Sequence, residues 1–515
     1  MIHMGKEPLK MIRKATVEGG VVVGLPAADP RITSFKGIPF AAPPVGQNRW
    51  RAPQPVIPWE GERKCWSFAP ISMQHIPGLD QNNIYTREWN VDPSIPMDED
   101  CLYLNVWTPA KTDEERLPVF VWYFGGGLME GNPAEMEFDG ERIARRGVVV
   151  VTVNYRLNAF GFLAHPQLTR EQPDAPTNFG HLDQQAGTRW VKRNIAAFGG
   201  DPDNITIGGQ SAGGGSVCAQ LTSPQNKGLF QKAVILSGVF GGIFPGPFGD
   251  MFGRGGMTPE EAGERFFEHM GVKTLEEARA LPAEFVRDKT LDFPFMFGTS
   301  VDGQFQTGDS MKNMLSGNRM DVPLIVTRTS SEFMTNLRTK DPAEAKEFAE
   351  KNFGADADKF LALLGDDPEK WADKTLSSGI EVCARGFAKH DPETGIKSPI
   401  YYSVFDAEIP GWDNPGTFHS VDLWFWFETL AKCWRPFVGK HYDLARHMCN
   451  YLANFIRSGD PNGDDADGTP MLRWESITDE KLNAMWWGDR VEARVDEPDE
   501  IMKMQVDAWI RKTLG

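Results

Sequence analysis

The stretch Asn204-Ile205-Thr206-Ile207-Gly208-Gly209-Gln210-Ser211-Ala212-Gly213 decides the fold of this chain. Asn204 to Ile207 reads as a strand and the small residues after Ser211 suit a helix, so Ser211 falls on a strand-to-helix turn. That turn is so sharp that its flanks must be small, which accounts for Gly209 and Gly213 on either side of the serine. The hydroxyl is lifted clear of the backbone at a helix N-terminus, as a nucleophile elbow requires. The pentapeptide alone also fits an ordinary turn.

A second element favours the nucleophile. Phe124-Gly125-Gly126-Gly127 follows the apolar run Pro118 to Tyr123, so glycines end a buried strand and expose bare amides. A tetrahedral oxyanion needs preorganised N–H donors, and glycines let the backbone approach a substrate unobstructed.

Working outward, apolar runs at Leu104–Trp107, Val119–Phe124, Val148–Asn154, Ile205–Gly208, Ala233–Leu236, Leu324–Thr327 and Ile400–Phe405 alternate with helical stretches. Buried parallel strands read this way, which predicts an α/β fold with a mostly parallel central sheet flanked by helices. Ala15–Leu25 and Ile32–Phe40, broken by Gly and Pro, predict an antiparallel edge. Leu182–Phe198 is expected to be a helix, with Asp183, Gln184 and Gln185 as dipole or capping partners in its first turn. The charged, helix-spaced segments Pro259–Lys289 and Asp341–Lys374 read as insertions, placed approximately at 239–320 and 335–398 of a single domain spanning 1–515. Gly238 to Met257, rich in Gly, Phe, Pro and Met, is read as a mobile lid or pocket wall, or equally as a packed surface loop.

Composition narrows the function classes. Hydrophobic residues make up 41% of the chain and aromatics 11%, enough for a large core and an aromatic-lined pocket. With 54 Lys and Arg against 71 Asp and Glu, the net charge is -17, which disfavours nucleic acid and strongly anionic substrates and suits neutral esters. No apolar run approaches membrane-spanning length, and Met1 to Gly20 lacks an apolar leader core. A cytoplasmic place is the default expectation, or secretion if a leader has been removed. The six cysteines show no zinc spacing, so neither metal nor cofactor is expected. Cys65 and Cys101 bracket a loop-rich segment that a disulfide would close, with two free thiols as the alternative. Asp460 to Asp465 is read as a solvated turn, since Asp465 stands where a calcium loop needs glycine.

A serine nucleophile needs a base, and the base needs an acid to fix its tautomer. Where such an elbow occurs both partners follow the serine, acid first. Of the nine histidines, His3, His75, His165 and His181 precede Ser211. His269 lies in an insertion helix, His390 in a charged connection, and His441 and His447 in a helical stretch, which leaves His419 on the loop after the Ile400 strand. The acid should end an earlier core strand, and Glu332 after Leu324–Thr327 is the choice, with Asp302 and Asp422 as competitors.

These residues resemble the type-B carboxylesterase/lipase group of the α/β-hydrolases, relatives of the cholinesterases. The resemblance runs through Lys36-Gly37-Ile38-Pro39-Phe40-Ala41-Ala42-Pro43-Pro44, Glu99-Asp100-Cys101-Leu102-Tyr103-Leu104-Asn105, Asn154-Tyr155-Arg156-Leu157, Phe198-Gly199-Gly200-Asp201-Pro202 and Gly459-Asp460-Pro461-Asn462, nearly the whole chain. It implies the α/β-hydrolase fold with helical insertions, Ser211 as nucleophile, Glu332 as acid and His419 as base. It also implies an oxyanion hole from the amides of Gly126, Gly127 and Ala212, and a disulfide between Cys65 and Cys101. The chain departs from the family in carrying Gln210 where Glu is usual and Phe124 where Tyr or His is usual.

The expected activity is hydrolysis of small carboxylic esters, short-chain or aromatic such as hydroxycinnamates, through an acyl-enzyme. Phe124, Leu128, Gln210, Phe418 and Trp424 are the expected pocket residues. The alternatives are a lipase for longer acyl chains and a non-enzymatic binding relative, which would usually lack the serine or histidine.

Overall fold

The computed structural model describes residues 10–80, 82–89, 93–241, 256–332, 337, 339–375, 379–479 and 481–515. Among them, strands β1 (Lys14–Val17), β2 (Gly20–Val23), β3 (Leu25–Pro26), β4 (Thr33–Pro39), β5 (Glu62–Lys64), β6 (Tyr103–Thr108), β7 (Leu117–Tyr123), β8 (Val149–Val153), β9 (Gly200–Gln210), β10 (Lys232–Leu236), β11 (Leu324–Thr329), β12 (Ile400–Phe405), β13 (Leu482–Trp487) and β14 (Val491–Asp496) form two sheets. The small one is β1-β2-β5 and the large one is 11-stranded, in the order β14-β13-β12-β11-β10-β9-β7-β8-β6-β4-β3. From β8 across to β13 every neighbouring pair is parallel, while β3-β4-β6-β8 and β13-β14 pair antiparallel. This is the α/β-hydrolase fold, with helices flanking a large, mostly parallel sheet.

The helices used below are α1 (Ile84–Glu88), α2 (Phe179–Asn194), α3 (Ala212–Thr222), α4 (Pro259–Met270), α5 (Leu275–Ala280), α6 (Ala283–Leu291), α7 (Pro342–Phe353), α8 (Ala357–Leu364), α9 (Gly379–Thr394) and α10 (Gly439–Ser458). Helices α4 to α8 supply the expected helical insertions, and α4 and α5 each open on a capping box, Thr258 with Glu261 and Thr274 with Glu277.

Strand alternation divides the core between the two faces of the sheet. In β7, Val119, Val121 and Tyr123 join one buried cluster while Phe120 and Trp122 join the other. Because both faces are covered, the central strands read as unbroken apolar runs.

Several expectations are corrected here. The run Ala15–Leu25 is not one strand, because the chain reverses at Glu18-Gly19 to make the β1-β2 hairpin. Hairpin β13-β14 is an addition at the edge of the expected sheet. Its outer strand is charged and exposed, so it lacks the apolar run that marks the central strands. Helix α2 begins at Phe179, earlier than expected, which moves Asp183 out of the first turn and into the core. There Asp183 takes a fork of bonds from Arg156, 2.8 Å each from Nε and Nη2. His390 lies within α9 rather than in a connection. Cys65 and Cys101 are free thiols, so the implied disulfide is not formed. Both are buried, Cys65 directed at the Gly37 carbonyl and Cys101 at Ser72, and burial pushes their thiols up to about 11 and about 12. Most of the proposed lid, residues 242–255, lies outside the described residues.

Candidate active site

Strands β7 and β9 are parallel neighbours, with Tyr123 opposite Gly209, so the glycine loop and Ser211 leave the sheet side by side at its carboxyl edge. Because β8 lies on the other side of β7, the connections diverge here, where α/β sheets open a crevice for ligands. The following parallel strands β11 and β12 lead to Glu332 and His419 at the same edge.

Ser211 has φ +54° and ψ -126°, a strained conformation for a residue with a side chain, and it is locked by its N–H bonding the Leu236 carbonyl at 2.9 Å. The flanking glycines are sterically required. A Cβ at Gly209 would lie 2.3 Å from the Gly213 carbonyl oxygen, and one at Gly213 would lie 2.2 Å from that of Tyr123. In the facing loop, Gly126 and Gly127 have φ +104° and +66°, and nothing lies within 4 Å of where a Gly127 Cβ would be. The Gly126 carbonyl accepts from the amides of Met129 and Glu130, which fixes the loop.

His419 and Glu332 are bonded, Nδ1 to Oε2 at 2.6 Å, with side chains only 5% and 4% exposed. Glu332 Oε1 also accepts from the Thr329 amide at 3.1 Å. Burial pushes the Glu332 carboxyl up, but His419 and these hydrogen bonds outweigh it and hold it below its ordinary value, keeping it ionised. At the other ring nitrogen, Gln210 Nε2 lies 3.2 Å from His419 Nε2 and 2.6 Å from the Ser420 hydroxyl. The competing acids have other work. Asp302 accepts from Asn178 at 2.8 Å, and Asp422 accepts from the Trp426 indole at 3.1 Å, with burial raising its carboxyl to about 7.

Ser211, His419, Gln210 and the three glycines open on one cavity of about 410 Å³. Its apolar lining comes from Tyr85, Trp89, Met129, Phe138, Met296 and Leu423, and its acidic lining from Glu130, Glu135 and Glu137.

This arrangement is shared with known proteins. Residues 8–390 match the model of the carboxylesterase family. The chain belongs to the carboxylesterase family. It is 38% identical to the cholinesterase of Mus musculus over 505 residues, covering 88% of this chain and 80% of that one. To fumonisin B1 esterase of Sphingopyxis macrogoltabida it is 31% identical over 443 residues, covering 82% and 76%. Among solved structures, a PNB esterase superposes with a TM-score of 0.78 at 26% identity, covering 96% of this chain and 99% of the other. The chain is therefore a carboxylic ester hydrolase acting on small molecules. Among the described residues, no helix is long and apolar enough to cross a membrane.

Of the five expected pocket residues of this carboxylesterase, only Gln210 lines the cavity. Phe124 turns into the core and stacks on Tyr155 at 4.2 Å. Leu128 is 6% exposed in the same core. Phe418 packs on Tyr85 and Arg435 behind the wall, and Trp424 is fully buried, its indole donating to Glu88 at 3.0 Å. Sequence adjacency to His419 suggested the last two, but the loop turns their rings away from the substrate side. The residues actually lining the cavity at 74–89 come from loop and from the five-residue helix α1, too short to show a period in the sequence. The acids at 130, 135 and 137 directly follow the glycine loop, and that spacing was the one available signal.

Proposed function

We propose that Ser211, His419 and Glu332 form a catalytic triad hydrolysing short-chain or aromatic esters, hydroxycinnamates included. The observation that carries this reading is the buried 2.6 Å bond between His419 Nδ1 and Glu332 Oε2, at the edge of the cavity that Ser211 shares. The carboxylate holds Nδ1 protonated, leaving Nε2 to take the Ser211 proton as Oγ attacks the ester carbonyl. Amides of Gly126, Gly127 and Ala212 receive the developing oxyanion. The imidazolium then protonates the departing alcohol, and a water activated by the same imidazole cleaves the acyl-enzyme.

The size of the cavity and its rings, Tyr85, Trp89 and Phe138, support small or planar acyl groups. The test is the initial rate on p-nitrophenyl esters of increasing acyl length and on methyl ferulate. The expected result is a peak at short or aromatic acyl groups that disappears in Ser211→Ala. Rates that keep rising with chain length, or increase sharply beyond substrate solubility, would favour a lipase. A Ser211→Ala variant as active as wild type would remove the triad reading.

A further inference from the structure

The cavity of Ser211 carries a feature that ester hydrolysis leaves unused. A short 3-10 turn, Met136–Phe138, places Glu135 and Glu137 together in its wall. Glu137 is 1% exposed, and among the described residues no N–H or O–H reaches either of its carboxyl oxygens. Glu135 stands partly open to the cavity, its Oε1 accepting from the Asn132 amide at 2.8 Å. The two carboxyls interact in that wall, and a charge on Glu135 opposes one on Glu137. Burial raises Glu135 to about 7 and Glu137 well above the usual carboxylate range, with Glu130 facing the first and Glu88 the second in the same direction. The neighbouring cation Arg435 is already engaged by Glu88 and Asp413. Buried carboxyl oxygens without donors are unfavourable, and these belong to a cavity built to admit a small molecule.

We propose that the Glu135–Glu137 pair is a subsite for a primary or secondary ammonium group on the ester substrate, an inference that rests on the Ser211 reading above. An ammonium brings several N–H donors and a positive charge that balances the carboxylate it bonds. A hydroxyl offers one donor and no charge, and a quaternary ammonium offers charge without donors. A divalent cation would want a third protein ligand, and no group of three or more His, Cys, Asp or Glu suited to a metal occurs among the described residues.

The experiment compares isosteric esters on the full chain at pH 8: 5-aminopentyl butyrate with hexyl butyrate and 5-(trimethylammonio)pentyl butyrate, and methyl 6-aminohexanoate with methyl heptanoate. The expected result is a kcat/KM for the amine at least about tenfold above its neutral isostere in one pair, chiefly through KM, as for a site built to bond a donor. The trimethylammonium ester should lack that advantage, and the ratio should fall toward one in Glu135→Gln/Glu137→Gln. Should that variant fail to fold, hexylammonium binding to Ser211→Ala by calorimetry in two buffers should show proton release. Equal rates within both pairs, equal preference for the quaternary ester, a ratio that survives the double variant, or binding without proton release would each overturn the proposal. Failure of the esterase reading would look different, because the neutral esters themselves would not be turned over.

Discussion

The side-chain amide of Gln210 lies against the imidazole of His419, Nε2 to Nε2 at 3.2 Å, at the ring nitrogen opposite the one Glu332 holds. The imidazole is thus flanked by one carboxylate and one neutral amide, where the family resemblance implies a second carboxylate. A neutral partner gives the imidazolium a dipole instead of a charge.

Gln210→Glu should therefore stabilise the protonated imidazole. Since catalysis needs the unprotonated ring, the acid limb of kcat/KM should move to higher pH, by about one unit. A pH–rate profile of wild type and variant from pH 5 to 9 checks this. An unmoved limb would mean that Gln210 does not touch the titrating base.

Glu332→Gln keeps shape and volume but offers His419 a mixed donor and acceptor in place of a carboxylate, so the ring is no longer held in the productive tautomer. The expected loss in kcat is about 10³–10⁴-fold, as for a triad acid, with secondary structure retained. Circular dichroism and steady-state rates on one neutral ester read both. A loss below tenfold would transfer the acid role, and Asp422 would be examined next.

Away from the site, Glu171 ties the insertion to the body of the molecule, bonding Arg279 of α5 at 2.9 and 2.7 Å and Arg51 at 2.6 Å. The Arg279 bonds, joined by Arg51, outweigh burial, which pushes the carboxyl up, and bring it from 4.5 to about 2. A depressed folded-state value means stabilisation that is complete above pH 4.5 and lost as pH falls toward 2. With the glutamate side chain 29% exposed, solvent screening leaves about 1–2 kcal/mol. Urea unfolding of wild type and Glu171→Gln should differ by that amount at pH 7 and converge only as the pH falls below about 2. A constant difference would show the effect is not the ion pair.

The sheet was legible because its central strands are apolar on both faces, and the three residues proposed as a triad stood out because Ser211, Glu332 and His419 each follow a core strand in chain order. Gly209 and Gly213 carried information because no side chain fits at either place. The pocket was not legible. Trp424 and Phe418 lie beside His419 in sequence yet pack behind the wall, while Trp89 lines the cavity from a segment with neither helical nor strand periodicity. Which way a ring points from a loop depends on distant partners, here Glu88 and Arg435, and local pattern cannot supply that.

Arg435 is the partner on which both sides of the cavity depend. Its side chain is wholly buried and pairs with Glu88 of α1, also wholly buried, at 2.7 Å. It further bonds Asp413 at 2.9 Å and the Pro410 carbonyl at 3.2 Å, both on the loop that leads to His419. One guanidinium therefore joins the segment bearing Tyr85 and Trp89 to the segment bearing His419. Arg435→Ala would leave Glu88 charged and unpaired in the core, at a cost of about 3–5 kcal/mol. Restoring neutrality with Glu88→Gln in the same chain should recover part of that stability, since the uncompensated charge is the larger penalty. Activity should recover less, because neither glutamine nor alanine can bridge to Asp413. Unfolding midpoints and kcat/KM of the single and double variants separate the two effects, and full recovery of activity in the double variant would show that the bridge does not position His419.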